Sequence, residues 1–212
     1  MGACEFNSKL ALNVWAYLPD RGFERVGTTP AQRPVSIPEC RWWGVQPLRG
    51  TTPAALRREV AAKRIPGLVL RRNAEQFLAK LGDLRGLSVL YILTSDVTDA
   101  GLAHLKGLKN LRGLDLSGTK VTDAGLAHLK GLTNLRKLNL ELTQVTDSGL
   151  AHLKGLTNLR ELNLWGTKLT DAGLAHLNGL TNLRVLYLLR TKVTDAGVRE
   201  LKQALPDTWI SH

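Results

Sequence analysis

The stretch VTDAGLAHLKGLTNLRKLNLELTQ, from Val121 to Gln144, is followed directly by VTDSGLAHLKGLTNLRELNLWGTK, from Val145 to Lys168. These two 24-residue units are identical at 19 positions. Other units in the same register begin at Asn73 (a weaker copy), Val97, Leu169 and Val193 (a shortened copy). A chain with such internal repeats is expected to fold as a stack of similar units.

Each unit has two halves with different hydrophobic periods. One half has the form LxxLxLxxTxV, as in 111–121, and its alternating leucines predict a short strand with one buried face. The other half, as in 98–107, predicts a helix with Thr98 as N-cap, Asp99 in the first turn and Gly107 after its end. Because one unit cannot bury both leucine faces, neighbouring units must stack. We therefore predict an α/β solenoid, a horseshoe with a parallel sheet on its concave face and short helices on its convex face.

The chain divides into three parts by its periodicity. Residues 73–212 form the predicted repeat domain, which ends in a helix over 195–204 and a C-terminal cap. Residues 51–72 are interpreted as an irregular N-terminal cap repeat, because Thr52-Pro53 begins a helix to about Arg64 and a strand-like segment follows at 67–70. Residues 1–50 contain five of the eight prolines and no sustained period, so we expect an irregular or disordered basic segment.

Composition limits the classes of protein that the chain can represent. The net charge of +11 is compatible with an anionic partner but does not by itself select one. Cys4 and Cys40 are the only cysteines, which excludes a disulfide framework and leaves one optional bridge open. No apolar run has the length of a transmembrane helix, and 10–18 is not followed by a signal-peptide cleavage site. We expect a monomeric cytoplasmic protein without a membrane span.

The repeat sequence resembles a group of bacterial leucine-rich-repeat proteins whose units read VTDAGLxHLxxLxxLxxLxLxxT. This pattern is similar to the cysteine-containing repeats that follow F-boxes in ubiquitin-ligase receptors. The resemblance covers residues 73–212 and implies a protein-interaction module without catalytic residues. The sequence departs from the cysteine-containing type because threonine takes the cysteine position in the full units, at Thr119, Thr143, Thr167 and Thr191.

Variation between the units indicates where a partner binds. The third, fifth and seventh columns of the strand motif face away from the leucine core, and the eighth follows in a loop. These columns differ most between units, whereas the core positions repeat. We expect partner-binding residues at Tyr91, Lys137, Asn139, Glu141, Asn163, Trp165, Tyr187 and Leu189. Free drift of exposed positions is the alternative explanation.

Aromatic residues concentrate near the two ends of the predicted concave face. Trp165, Tyr187, Leu189 and Val185 form the predicted C-terminal cluster, and Val89, Tyr91 and Leu93 lie toward the opposite end. Exposed tryptophan and tyrosine often dominate binding energy, so Trp165 and Tyr187 are the predicted anchors. Alternatively, the N-terminal segment of the same chain covers the C-terminal cluster.

Three further ladders of repeated side chains suggest other chemistry. A basic edge is predicted at Arg112, Arg136, Arg160 and Arg184, which either binds phosphates or carboxylates or, as we favour, is simply a solvated edge. The histidine ladder His104, His128, His152 and His176 offers only one type of ligand, so no metal site is predicted. The aspartates at the helix starts, from Asp99 to Asp195, are explained by the helix dipole. No cofactor motif and no singular acid-base pair is present, so we do not expect an enzyme.

These observations favour a non-enzymatic scaffold that binds a protein or peptide on its concave face. One alternative is binding of nucleic acid or an acidic partner through the basic edge and the basic N-terminal segment. A second alternative, from the resemblance, is a substrate-receptor-like adaptor in protein degradation, although no F-box is evident in residues 1–72.

Overall fold

The computed structural model of the chain describes residues 4–6, 8, 12–18, 22–30, 35–37, 42–71, 74–93 and 95–212. The strands in these residues are β1 (Cys4–Phe6), β2 (Leu12–Leu18), β3 (Gly22–Thr29), β4 (Val35–Ile37), β5 (Trp42–Pro47), β6 (Gly67–Leu70), β7 (Val89–Ile92), β8 (Gly113–Asp115), β9 (Lys137–Asn139), β10 (Glu161–Asn163), β11 (Val185–Tyr187) and β12 (Trp209–Ser211). Ten of them form one sheet in the order β12-β11-β10-β9-β8-β7-β6-β5-β2-β3. Strands β5 to β12 are parallel to one another, and β2 and β3 continue the sheet in antiparallel orientation.

Short helices follow the strands on the other side of each unit. They are α1 (Pro53–Ala62), α2 (Ala74–Leu78), α3 (Asp99–Leu102), α4 (Asp123–Leu126), α5 (Asp147–Leu150), α6 (Asp171–Leu174) and α7 (Asp195–Ala204). A 3-10 helix continues α3, α4, α5 and α6, over Ala103–Gly107, Ala127–Leu129, Ala151–Leu153 and Ala175–Leu177. The predicted α/β solenoid, with its sheet on the concave face and its helices on the convex face, is confirmed.

The core between sheet and helices consists mainly of the repeated leucines. In the unit that begins at Val121, the buried leucines are at most 1% exposed and are Leu126, Leu129, Leu132, Leu135, Leu138 and Leu140. Burying one such side chain contributes about 1.5–3 kcal/mol. The same positions are buried in the neighbouring units, so one continuous apolar core runs along the solenoid.

An inter-repeat clamp joins each unit to the next on the convex side. The carboxylate of Asp123 accepts hydrogen bonds from the backbone N–H of Thr146 at 2.8 Å and from its hydroxyl at 2.6 Å. Equivalent bonds join Asp99 to Thr122, Asp147 to Thr170, and Asp171 to Thr194. The repeated aspartates therefore bind the following unit, a role that their interpretation through the helix dipole did not include.

The threonine and glycine of the TDAG motif serve the same clamp. Thr98 occupies the N-cap position as predicted, but its hydroxyl does not cap α3 and instead donates to Glu75 of the preceding unit. The two roles do not exclude each other, because the Thr122 hydroxyl donates to Asp99 and also accepts from the N–H of Ala124. At Gly149, an added Cβ would lie 2.3 Å from Oδ1 of Asp123, so glycine is needed for the close approach.

Two further polar positions hold the units in place. Asparagine side chains before the strands donate to backbone carbonyls of the preceding unit, as Asn158 does to Thr133 at 2.9 Å. Buried threonines at the ninth position of the strand motif donate their hydroxyl to a leucine carbonyl at 2.6 Å, as Thr143 does to Leu140. Threonine is accommodated in the core because its hydroxyl has this acceptor.

The N-terminal region differs from the sequence-based expectation. Within residues 1–50, β2, β3 and β5 are paired strands of the main sheet, rather than irregular or disordered chain. Leu12, Val14 and Val45 are fully buried and cover the N-terminal end of the core. The antiparallel pairing, with an irregularity between Val14 and Trp15, is used once and therefore leaves no repeat in the sequence.

The segments after residue 50 follow their predicted pattern more closely. Helix α1 has Thr52 as N-cap, with its side chain accepting from the N–H of Ala55, and β6 follows as predicted. The division of the chain into domains at residues 50 and 72 stays a prediction. The possible Cys4–Cys40 bridge lies outside the described residues, which do not include Cys40.

The C-terminal end is completed by α7, as predicted, and by β12. The hydroxyl of Thr208 donates to the carbonyl of Leu183 at 2.9 Å, and the Lys202 ammonium donates to backbone carbonyls of Pro206 and Thr208. These contacts place β12 beside β11, in register from Trp209 opposite Val185. The final segment is therefore a strand at the edge of the concave sheet.

Candidate functional site

The strand register places the predicted binding residues in three columns on the concave face. Lys137 lies in the first column, between Gly113 and Glu161. The second column contains, in order, Val69, Tyr91, Asp115, Asn139, Asn163 and Tyr187. Glu141, Trp165 and Leu189 follow the ends of their strands in the third column. Whether these residues bind a partner stays a prediction.

A C-terminal patch, consisting of Trp165, Tyr187, Leu189, Arg190 and Trp209, presents a large apolar surface at the end of the sheet. The rings of Tyr187 and Trp209 meet edge to face, with centroids 5.6 Å apart. The Arg190 guanidinium carbon lies 4.7 Å from the centroid of the Trp165 ring. Leu189 is 44% exposed and Trp209 is 56% exposed. Clusters of this kind mark interaction surfaces more often than isolated exposed residues do.

Two members of the C-terminal patch were missed by sequence reasoning. Trp209 lies in the segment after the shortened unit, where no repeat register indicates that it enters the first concave column beside Val185. Arg190 occupies the eighth column, and the variation in that column is visible in the sequence. Its contact with Trp165 is visible only in the structure. The alternative in which the N-terminal segment covers this cluster is wrong for the described strands, since β2 and β3 lie at the opposite edge of the sheet.

Backbone conformation gives independent information about the rim of the patch. The eighth column has positive φ at each full unit, at Gly118, Leu142, Gly166 and Arg190. Leu142 (φ 54°) and Arg190 (φ 58°) adopt a left-handed conformation that costs a non-glycine residue about 1–2 kcal/mol. Leu142 is also 54% exposed. Strained, exposed residues beside a patch of aromatic side chains are functional candidates.

The centre of the concave face is polar and partly used for its own structure. Asn139 donates to the Asp115 carboxylate at 3.1 Å, and Asn163 donates to the Glu141 carboxylate at 3.0 Å. The side-chain oxygens of Asp115, Asn139 and Asn163 each accept from a backbone N–H two residues later. The two asparagines are therefore oriented before any partner arrives.

Charges on this central surface are only partly compensated. Lys137 pairs with Glu161 at 2.6 Å. Among the described residues, no lysine or arginine nitrogen lies within 4.0 Å of the carboxylates of Asp115 or Glu141. Within the described part of the chain, the centre of the face therefore carries two negative charges without an ion-pair partner, although the net charge of the chain is +11.

An N-terminal pocket of about 260 Å³ opens at the other end of the concave face. Its lining residues are Trp15, Val69, Arg71, Tyr91, Leu93 and Asp115. Trp15 comes from β2, opposite Gly44 of β5, which has no side chain on this face. The volume lies below the range of about 300–1,000 Å³ for pockets that hold drug-sized ligands. It suits one apolar side chain.

The predicted basic edge is present and exposed. Arg112, Arg136, Arg160 and Arg184 are exposed and immediately precede four neighbouring strands. In the described part of the chain, none of them has a carboxylate within 4.0 Å. Among these four arginines, and within the described residues, only Arg184 donates side-chain hydrogen bonds, to the carbonyls of Thr181 and Leu183. The guanidinium groups are thus available to an anionic partner.

Geometry for metal binding is not found in the described residues, where no three His, Cys, Asp or Glu side chains are grouped closely enough to hold an ion. The histidine ladder lies along the 3-10 helices, with one histidine in each. Among the helices of the described ranges, none is long and apolar enough to cross a membrane.

Comparison with known proteins identifies the class of fold. Residues 109–154 and 157–202 match the family described as Leucine Rich repeats (2 copies). A solved internalin C2 from Listeria monocytogenes is similar, with 25% identity and a TM-score of 0.59, over 76% of this chain and 66% of that chain. An internalin (inlF) from the same organism has 19% identity and a TM-score of 0.49, over 69% of this chain and 47% of that chain. A comparison with curated proteins gave no match.

The chain therefore has a leucine-rich-repeat solenoid fold, a scaffold typical of protein-protein interaction. It spans 66% of the internalin C2 chain that it resembles. The closer resemblance to the VTDAGLxHL units and to F-box-associated repeats stays a prediction.

Proposed function

We propose that this protein is a non-enzymatic scaffold that binds a protein segment on its concave face, with the C-terminal patch as the main anchor. The observation that supports this most directly is one contiguous surface on neighbouring units, formed by the half-buried Trp165 and Tyr187 and by the exposed Leu189 and Trp209. Tryptophan and tyrosine provide the largest contributions in many interfaces. The strained conformations of Leu142 and Arg190 at the rim support the same surface.

The size of the face favours an extended peptide over a large globular partner. Seven strands from β6 to β12, about 4.8 Å apart, and about 15 Å of exposed strand give roughly 500 Å². A standard interface buries about 800 Å² on each partner. An extended peptide buries a larger share of its own surface on such a narrow face, because both its backbone and its side chains contact the sheet.

Capture of partners by the full-length chain and by two matched variants tests this proposal. The Trp165→Ala, Tyr187→Ala variant removes the two predicted anchors, and Lys130→Ala, Lys154→Ala changes two exposed residues after the 3-10 helices on the convex side. Proteins recovered from the native cell are quantified by mass spectrometry. We expect at least one protein to be recovered about tenfold less with the aromatic variant, because loss of an anchor typically costs 2 kcal/mol or more.

The convex variant is expected to recover the same proteins as the native chain. Unfolding curves of both variants establish that the bait is folded during capture. Equal recovery by the native chain and the aromatic variant would remove the C-terminal patch from the proposal.

A second candidate function is binding of nucleic acid through the basic edge. The specific observation is the row of exposed arginines on four neighbouring units without carboxylate partners in the described residues. Four phosphate contacts predict that affinity falls about 100-fold between about 50 and about 200 mM salt. Nothing in the described residues gives comparable support to an adaptor role in protein degradation.

Fluorescence anisotropy with labelled DNA and RNA of mixed sequence tests this candidate. The matched variant replaces Arg112, Arg136, Arg160 and Arg184 with glutamine, which removes the charge and retains much of the side chain. We expect its affinity to fall and its salt dependence to flatten. Undetectable binding, or the same salt dependence in both proteins, would count against nucleic acid as the partner.

A further inference from the structure

The two ends of the concave face are apolar, and the region between them is acidic. The N-terminal pocket is walled by Trp15, Val69, Tyr91 and Leu93, and the C-terminal patch is built on Trp165, Tyr187 and Trp209. Arg71 and Asp115 also line this pocket, with Asp115 on its C-terminal side beside Tyr91, and Glu141 lies further along the sheet. Neither carboxylate has a cationic side chain within 4.0 Å in the described ranges. This order of surfaces defines the chemistry of a complementary ligand.

From this order we infer that the ligand is an extended peptide with two basic residues between two apolar anchors, bound across the strands. The inference rests on the proposed peptide-binding function and adds the class of sequence that is recognised. One anchor enters the N-terminal pocket, and the other packs on the C-terminal patch. The basic side chains reach the unpaired carboxylates in the centre.

The strand spacing sets the distance between the anchors. Tyr91 and Tyr187 occupy the same column and are separated by four strand steps, through Asp115, Asn139 and Asn163. Four steps of about 4.8 Å correspond to roughly 19 Å. An extended peptide advances about 3.3 Å per residue, so six residues span about 20 Å. The anchors are therefore expected at positions i and i+6.

The same spacing fixes where the basic residues must lie. Side chains of an extended peptide alternate between two faces, so i, i+2, i+4 and i+6 all face the floor. Position i+2 lies about 7 Å from the first anchor, and position i+4 lies about 13 Å from it. Both positions are therefore above the sheet between β8, which bears Asp115, and β10, which bears Glu161. Glu141, which follows β9, lies within this interval. Lysines at i+2 and i+4 therefore meet the acidic region, whereas lysines at i+3 and i+5 point to solvent.

Charge on the scaffold itself disfavours other arrangements. Lys137 is engaged by Glu161, and Arg190 stacks on Trp165 at the end of the face. An acidic peptide centre would be placed against Asp115 and Glu141, which have no cationic side chain within 4.0 Å among the described residues. Arg71 lines the N-terminal pocket together with Asp115 and so lies at the end of the face rather than at its centre. Like charges in such positions oppose association. The concave face and the basic edge thus select ligands of opposite charge.

The binding test uses the full chain and a fluorescently labelled probe peptide, Phe-Ser-Lys-Ser-Lys-Ser-Phe. In the first comparison peptide both lysines are replaced with glutamate. In the second the lysines are moved from i+2 and i+4 to i+3 and i+5, and in the third both phenylalanines are replaced with alanine. For the small surface involved, we expect a dissociation constant on the order of 10–100 µM for the probe. Each comparison peptide is expected to bind about tenfold more weakly.

Variants of the protein assign the effect to the central charges. Asp115→Asn and Glu141→Gln together retain the shape and one acceptor oxygen at each position but remove both charges. We expect them to weaken probe binding about tenfold and to abolish the preference for lysine over glutamate. The convex variant Lys130→Ala, Lys154→Ala is expected to bind the probe like the native chain.

The outcomes separate this inference from the proposed function. A clear preference for the probe, lost in the Asp115→Asn, Glu141→Gln variant, supports the basic peptide class. Equal binding of all four peptides, or no binding of the probe at about 1 mM, overturns that class. If partner capture still depends on Trp165 and Tyr187 in that case, the concave site stands and only its assigned ligand is wrong.

Discussion

The convex and concave sides of the solenoid differ in what they repeat. On the convex side, the four complete aspartate-threonine clamps have nearly the same two distances, about 2.8 Å to the backbone N–H and 2.6–2.7 Å to the hydroxyl. On the concave side, one column contains Asp115, Asn139, Asn163 and Tyr187 in succession. The clamps thus lie away from the surface that varies, which allows residues of that surface to change while the clamps are kept.

The largest expected effect comes from closing the space that the clamp needs. In Gly149→Ala, the new Cβ would lie 2.3 Å from Oδ1 of Asp123 and would push apart the clamp between Asp123 and Thr146. We expect the free energy of unfolding to fall by about 2–3 kcal/mol, despite the higher helix propensity of alanine. Urea denaturation followed by circular dichroism measures this change.

Gly179→Ala is the matched control, because nothing lies within 4 Å of the added Cβ. We expect it to change the free energy of unfolding by less than about 1 kcal/mol. If both substitutions have the same small effect, close approach at the clamp does not determine the choice of glycine.

A smaller effect is expected when one acceptor of the clamp is removed. Asp147→Ala leaves the backbone N–H and the hydroxyl of Thr170 without their carboxylate, so we expect a loss of about 1–2 kcal/mol. Asp195 has the same place in the last unit, but its side chain is 81% exposed and contacts only the His212 ring, at 2.9 Å, among the described residues. Asp195→Ala is therefore expected to cost less than about 1 kcal/mol. Comparable losses in the two variants, measured by urea denaturation, would show that the helix dipole explains the ladder without the clamp.

The pH dependence of the clamp gives the smallest expected change. The pKa of Asp171 is lowered because the backbone N–H of Thr194, and then its hydroxyl, donates to the carboxylate. A lowered folded-state pKa means that this contribution is complete above the unfolded value of about 3.9 and is lost as pH falls through the folded value. As the pH is lowered from about 5 through the folded-state pKa, we expect the free energy of unfolding to fall less for Asp171→Asn than for the native chain. Urea titrations at several pH values measure this difference. A steeper loss in the variant would contradict the sign of this effect.

The regular part of the fold was predictable because its determinants recur. The leucine spacing in the strand motif fixes which residues are buried, as Leu138 and Leu140 illustrate, and alternation then places Lys137 and Asn139 on the other face. Positive φ at Leu142 and Arg190 was not predictable from these residue types, since glycine occupies the equivalent position in the other two full units. Here the neighbouring units impose the turn on the sequence.

The ends of the sheet were less predictable because they do not repeat. Trp15 reaches the N-terminal pocket only through the antiparallel pairing of β2 with β5, a contact between distant segments. Trp209 reaches the C-terminal patch because Thr208 and Lys202 fix the segment before it. Both tryptophans were visible in the sequence, but no local pattern indicated which surface they join.

The identical clamps have a consequence for how ligand length changes over time. Duplication of one 24-residue unit in the middle of the array would reproduce the clamps to its neighbours and separate the two apolar ends by one more strand step, about 4.8 Å. The matching peptide would grow by one or two residues. Copying one existing segment of the gene would therefore be enough to change the length of the recognised peptide, because the added unit would fold like its neighbours.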